Sequence, residues 1–303
     1  MAVSNLYIRH QGPVLSGLAR VAWAALTQKP DPNAGPPPTP GPNIHAVVPP
    51  RPEALVAAMV EWAGGDPKAW KGTIPPYMFP QWGFPVLGRT LDGVAYPLAK
   101  VLNQGCRVEV REPLAMGESL ELNAHLHAVD DNDTRARIHQ RLSTAVQGKE
   151  PGLMADVYAF VPLAKRKKDG PRRAPPVVPS DAEEIGRREL ASTAGLDFAR
   201  LTGDFNPVHW IAPYARMAGF RGIILHGFAT AAIATEAVIA ARWMGDAMRL
   251  RSLEVRFTRP LVLPARPGVF VSPPDEQGRI PIAVGLAPGG EAAMLGHIQA
   301  QPV

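Results

Sequence analysis

The sequence predicts an α+β protein built from two similar units, each an antiparallel sheet with one helix against its face. Strand-like alternation is the first sign: in "CRVEVR", Cys106, Val108 and Val110 alternate with Arg107, Glu109 and Arg111. The second is "ATAAIATEAVIAA" (Ala229 to Ala241), which has apolar residues on every side, as a buried helix requires. The third is an internal echo. Setting Pro113-Leu114 on Pro260-Leu261, an offset of 147 residues, lays Cys106, Val108 and Val110 on Leu253, Val255 and Phe257.

The elements follow in order. "VLSGLARVAWAAL" near the start is interrupted by Arg20 and reads as an amphipathic or strand-forming segment. "KPDPNAGPPPTPGP" (Lys29 to Pro42) is too rich in proline for helix or central strand and reads as an extended surface excursion. "PEALVAAMVEWAG" (Pro52 to Gly64) is a short helix with proline suited to its first turn. "IPPYMFPQWGFPVLG" (Ile74 to Gly88) is aromatic and broken by prolines; it either lines an apolar pocket or packs as an irregular wall. Cys106 to Val129 reads as two strands with a turn near Ala115–Gly117, and "RARIHQRLSTAV" and "MADVYAFVPLA" continue the sheet. The charged, then proline-rich "KRKKDGPRRAPPVVPSDAEE" (Lys165 to Glu184) is the strongest boundary. It reads as a solvated linker, with a basic patch for phosphate or an acidic carrier protein as the alternative. After it, "STAGLDFARLTGD" is a short helix that Ser192 could cap. Strands return at "RSLEVRFTRPLVLPARPGVFVSP", "RIPIAVGLA" and "AAMLGHIQAQ".

Composition bounds the function. A chain of 303 residues, 46% hydrophobic and 19% charged, buries a sizeable core and fits two domains. A net charge of +5 suits an anionic ligand such as a phosphopantetheine thioester, or an acidic carrier protein, and is also small enough to mean little. No nucleic-acid-binding pattern accompanies it. The single cysteine, Cys106, excludes an intramolecular disulfide and a multi-cysteine metal site, and reads as a small core residue. The start shows no secretory pattern, and the longest apolar run contains Glu236 and is too short to span a bilayer. The expectation is a soluble, cytoplasmic protein.

The chemistry gathers in "TGDFNPVHW" (Thr202 to Trp210). An ionised aspartate and a neutral histidine can share a water and remove its proton, which Asp204 and His209 would do. The competing reading is an Asx-type turn with a satisfied histidine. "IILHGF" (Ile223 to Phe228) then places Gly227 at the start of the alanine-rich helix. Unpaired backbone N–H groups there suit a developing oxyanion such as a thioester enolate. His226 alone reads equally as a core or capping histidine.

The stretch "FARLTGDFNPVHW…A…GF…ILHGF" (Phe198 to Phe228) resembles the signature of the MaoC-like, or hydratase 2, family, including the spacing from His209 to Gly227. The resemblance is close from Ala191 to Val303 and diffuse before that. It implies a double hotdog: an N-terminal non-catalytic unit over 1–164 that shapes the acyl pocket, a linker over 165–184, and a catalytic unit over 185–303. It implies reversible hydration of trans-2-enoyl thioesters to (3R)-hydroxyacyl thioesters, with no metal or redox cofactor. Asp204 and His209 match the pair that activates water, Asn206 the residue that orients it, and the Gly227 N–H the donor to the thioester carbonyl. Phe205, His226 and Phe228, with Tyr77, Phe79 and Trp82 from the first half, are the expected substrate-binding residues. Ile211 departs from the family, where many members carry an acid, and this bears on substrate detail. The implied partners are an acyl-CoA or acyl carrier protein thioester, without nucleic acid or membrane. A monomer is physically adequate, and relatives favour a homodimer. A thioesterase, or a non-catalytic subunit that binds acyl thioesters, are the rival readings.

Overall fold

Segments that alternate apolar and polar residues come together as one antiparallel sheet of ten strands. The computed structural model describes residues 3–27, 36–98, 101–132, 134–163 and 174–301. The first half contributes β1 (Ile44–Val48), β2 (Leu102–Val110), β3 (Leu120–Asn132), β4 (Arg135–Val146) and β5 (Leu153–Pro162). The second contributes β6 (Glu183–Arg187), β7 (Leu250–Phe257), β8 (Gly268–Val271), β9 (Arg279–Gly285) and β10 (Ala292–Ala300). Their spatial order is β1-β3-β4-β5-β2-β7-β10-β9-β8-β6, the same five-strand pattern run forwards and then backwards. This is the double hotdog that the resemblance implies.

The internal echo has a structural meaning. Its two copies are β2 and β7, and these strands pair with each other, Cys106 opposite Val255, Arg107 opposite Glu254 and Val108 opposite Leu253. The offset that lays β2 on β7 also lays Arg107 on Glu254, so a pseudo-twofold axis runs through that pair.

The helices are α1 (Gly12–Thr27), α2 (Glu53–Ala63), α3 (Pro80–Arg89), α4 (Ala194–Thr202), α5 (Ala212–Met217) and α6 (Gly227–Arg242); α3 and α6 lie on the sheet, α1 packs on α3, α2 on α6 and α4, and α5 on the turn Pro207–His209. The alanine-rich run forms α6 as expected; it lies on β6 to β10 and buries Ala229, Ala232, Ile233, Val238 and Ile239. Alanine lets the helix approach the sheet closely at little cost in side-chain entropy. α2 ends at Gly64, whose φ of 98° provides the left-handed turn that stops it. One core cluster joins Leu55 and Met59 of α2, Phe79 before α3, Trp82 within it, and residues from both halves of the sheet.

Several expectations change. The segment near the start is the helix α1, not a strand. Ile74 to Gly88 is a regular element, not an irregular wall: a single helical turn (Pro76–Met78) leads into α3, the helix that lies on β1, β3 and β4. Pro80 stands at its first turn, where a missing N–H costs nothing. The helix runs through Pro85, and α1 packs there, with the space a Gly17 side chain would fill lying 3.5 Å from the proline. β2 and β3 flank the expected turn but do not pair, since β4 and β5 lie between them. Thr193, not Ser192, stands at the cap of α4. The Lys165–Arg173 part of the basic stretch, and residues 28–35 of the proline-rich one, lie outside the described residues. The remainder of the expected linker is not solvated throughout: Val178 is fully buried with Phe270, Ala283 and Ala292, and β6 already begins at Glu183. No described helix is long and apolar enough to cross a membrane.

Candidate active site

Two chain reversals build the site. α4 stops at Gly203, whose φ of 83° is the conformation glycine tolerates, and whose missing side chain leaves room for Val14 and Gln11 of the N-terminal segment. Gln11 donates to the last carbonyls of α4, at 2.9 Å to Leu201 and 3.2 Å to Arg200, and so fixes where the next residues start. Asp204 follows. Its Oδ1 accepts from the Asn206 N–H at 3.2 Å, and Asn206 Oδ1 accepts from the Val208 N–H at 3.3 Å. Two successive Asx turns therefore lead into the single helical turn Pro207–His209. The polar turn and a pairing of Asp204 with His209 are not alternatives: the turn brings both side chains to one place.

His209 has its tautomer set by the backbone. Its Nδ1 lies 2.8 Å from the Ile224 carbonyl, which can only accept, so Nδ1 carries the proton and Nε2 keeps the lone pair. The ring is largely buried, which lowers its pKa below the ordinary 6.5, while the Asp204 carboxylate opposes that shift. Asp204 is 25% exposed at its side chain, so water reaches it. No direct hydrogen bond joins the two side chains among the described residues, yet Asp204, His209 and His226 each bring one polar atom within 4.8 Å of the others. That spacing leaves room for a shared water.

Those three groups would also suit a metal by residue type. Geometry argues against it. The His209 and His226 rings are stacked, 3.5 Å between centroids and 23° between planes. A metal lies in the plane of each imidazole that binds it, about 2 Å from nitrogen, and two nearly parallel planes this far apart do not meet so close.

The second reversal brings in α6. His226 is its N-cap, with ψ of 139°, and Gly227 begins the helix. The first N–H groups of a helix have no acceptor inside it and carry partial positive charge. Gly227 is required sterically: a Cβ would stand 2.6 to 2.7 Å from the Phe257 ring. Phe228 is buried, 5.5 Å from the Phe79 ring, 5.3 Å from Phe84 and 5.4 Å from Phe257, so the first turn of α6 abuts an aromatic wall drawn from both halves.

The other expected residues fall as follows. Asn206 is exposed; its side-chain amide serves the turn, and it meets the Asp204 carboxylate through its backbone N–H. Phe205 is half-buried and its carbonyl accepts from Trp210 Nε1 at 3.1 Å. Tyr77 and Trp82 are not brought to the pair. Tyr77 donates at 2.5 Å to Glu236 in the core, and Trp82 Nε1 donates at 3.2 Å to Thr144. Sequence reasoning missed Ile224, Gln11 and Gly195. A Cβ on Gly195 would stand 2.0 Å from the His209 carbonyl oxygen, so this glycine of α4 is what allows His209 its position. Its lone place inside a helical pattern was the available signal.

Comparison with known proteins gives the following likenesses. Residues 183–271 match the family model described as MaoC like domain. The chain is 25% identical over 175 residues to the peroxisomal multifunctional enzyme type 2 of Mus musculus, covering 56% of this chain and 24% of that one. It is 42% identical over 78 residues to 3-hydroxyacyl-thioester dehydratase X of Mycobacterium tuberculosis, covering 26% of each. The matched stretch thus spans about a quarter of the length of either relative. Among solved structures, HtdX of Mycobacterium tuberculosis overlays with a TM-score of 0.67 at 20% identity, covering 85% of this chain and all of that one, a likeness of fold.

Proposed function

We propose that residues 183–271, which match the model described as MaoC like domain, form a domain of that kind, and that the protein is a hydro-lyase that hydrates trans-2-enoyl thioesters reversibly to (3R)-hydroxyacyl thioesters. The observation that carries the reading is the closeness of Asp204 and His209, with polar atoms within 4.8 Å, together with the Ile224 carbonyl that holds the His209 proton on Nδ1 and leaves Nε2 free. Names of relatives support the same class: one is a 3-hydroxyacyl-thioester dehydratase, another a probable enoyl-CoA hydratase 2.

In the forward direction Asp204 and His209 hold one water between them. His209 Nε2, with the carboxylate beside it, draws off a proton as the oxygen attacks the β carbon. The Gly227 N–H takes the charge that builds on the thioester oxygen. The proton then passes to the α carbon on the same face, which regenerates both groups. Dehydration is the reverse. No step uses a metal or a redox cofactor. The substrate is an acyl-CoA or an acyl carrier protein thioester, and the protein works in the cytoplasm in fatty-acid metabolism.

The test is loss of enoyl absorbance on incubation with crotonyl-CoA. Asp204→Asn and His209→Ala should each abolish turnover, and a variant that kept the full rate would sink the assignment.

A further inference from the structure

His226 is the most completely buried of the site's titratable groups, 2% exposed, and the proposed chemistry gives it no task. It was expected to bind substrate. Its surroundings argue otherwise. Its Nε2 lies 2.9 Å from the backbone carbonyl of Asp204, so Nε2 carries the proton and donates it there. One ring face stacks on His209 at 3.5 Å, and Phe198 of α4 lies 4.9 Å from its centroid. The same side chain thus grips the backbone of the acid and supports the ring of the base, while its own residue caps the helix that begins at Gly227.

We propose that His226 is a positioning residue, holding Asp204 by its N–H and His209 by its ring face, and that it makes no contact with substrate. This rests on the hydratase reading of the preceding section. A stacked imidazole serves only if it stays neutral, because a second cation would repel a protonated His209. Burial, with His209 beside it, holds the His226 pKa down to about 3. Asp204 acts on both rings in the opposite sense. On α4, the nearest packed element, the charged groups Asp197 and Arg200 pair with each other at 2.7 Å. Nothing else charged on that helix is left to face the rings among the described residues.

Two substitutions separate the two grips. His226→Phe keeps a ring face and loses the donor. Its kcat should fall about tenfold or more, the cost of one lost hydrogen bond in the transition state, with KM within about twofold. The acid limb of its kcat/KM profile should stay where it is, because His209 remains covered. His226→Gln keeps an N–H for the Asp204 carbonyl and opens the ring face to water. There the acid limb should move up towards 6.5, the ordinary histidine value. A rise in KM with kcat unchanged in either variant would make His226 a substrate-binding residue and overturn the proposal; so would full activity in the phenylalanine variant. Nitrogen NMR of the unaltered protein reads the same claim without activity. His226 should stay neutral with its proton on Nε2 from pH 8 to pH 5, and His209 should carry its proton on Nδ1. A His226 that titrates near 6.5 would overturn it. Failure with crotonyl-CoA would instead strike the hydratase reading and leave these spectra unchanged.

Discussion

Gly227 stands where the Phe257 ring fills the space of a side chain, 2.6 to 2.7 Å from a would-be Cβ. Gly227→Ala must therefore move the ring or the start of α6, and moving the helix start moves the N–H proposed for the oxyanion. We expect kcat with crotonyl-CoA to fall about tenfold or more, and thermal denaturation to show a loss of about 1–3 kcal/mol from overpacking. Gly195→Ala meets a backbone oxygen at 2.0 Å, which no rotamer relieves, so its effect on kcat should be at least as large. The pH dependence has a fixed sign. The base must be neutral, and burial lowers the His209 pKa, so kcat/KM should stay flat down to 6.5 and fall only below it. An acid limb above 6.5 would contradict the burial argument. At this scale the closeness of Asp204 and His209 was legible because the short turn between them brings both side chains to one place. Ile224 was not, because it contributes a carbonyl that any residue would supply.

Glu236 shows the same limit for an element. In sequence it is one acid inside an apolar helix. In the fold it is 2% exposed, reaches from α6 to the first half, and accepts from Trp70 Nε1 at 2.9 Å and Tyr77 Oη at 2.5 Å. Gly65 leaves it room, since a Cβ there would lie 2.0 Å from Oε2. Burial raises its pKa from 4.5 to about 7. The folded state thus holds the proton more tightly than the unfolded one. The associated stability is complete below pH 4.5 and is lost as pH rises to about 7, in total about 3 kcal/mol. Glu236→Gln keeps an acceptor and has no such loss. Its thermal midpoint should gain on that of the unaltered protein steadily from pH 4.5 to 7; parallel curves would refute the shift. The helix within the aromatic segment Ile74 to Gly88 was not legible for a related reason. Its prolines signalled a break, yet α3 runs through Pro85 where α1 packs beside it, a contact that no local pattern records.

Over the whole molecule the repeat carried more information than its weakness suggested. Three apolar positions and a Pro-Leu were read as a sign of two similar units; in the fold the two copies are also the strands at which the halves join. The sequence did not reveal how tight that seam is. Gly105, with φ of 148°, has the Val255 carbonyl oxygen 2.0 Å from a would-be Cβ, so its Ala variant should lose about 3 kcal/mol or more in denaturant unfolding. Gly148 makes the control: its φ is also positive, at 79°, but nothing lies within 4 Å, and Asn there should cost under about 1 kcal/mol.

The seam also decides what the molecule can add to itself. A lone five-strand unit would end in β2 or β7, each eight or nine residues long with unpaired N–H and C=O groups along it, an open template for any extended chain. Pairing β2 with β7 uses up both templates. The edges that remain are β1 and β6, five residues apiece. β1 runs straight into Pro49-Pro50, and β6 carries Glu183, Glu184 and Arg187 with a bulge between Glu184 and Gly186. Short, charged, bulged and proline-stopped edges refuse further strands, so a sheet of ten strands ends there without growing into a fibre.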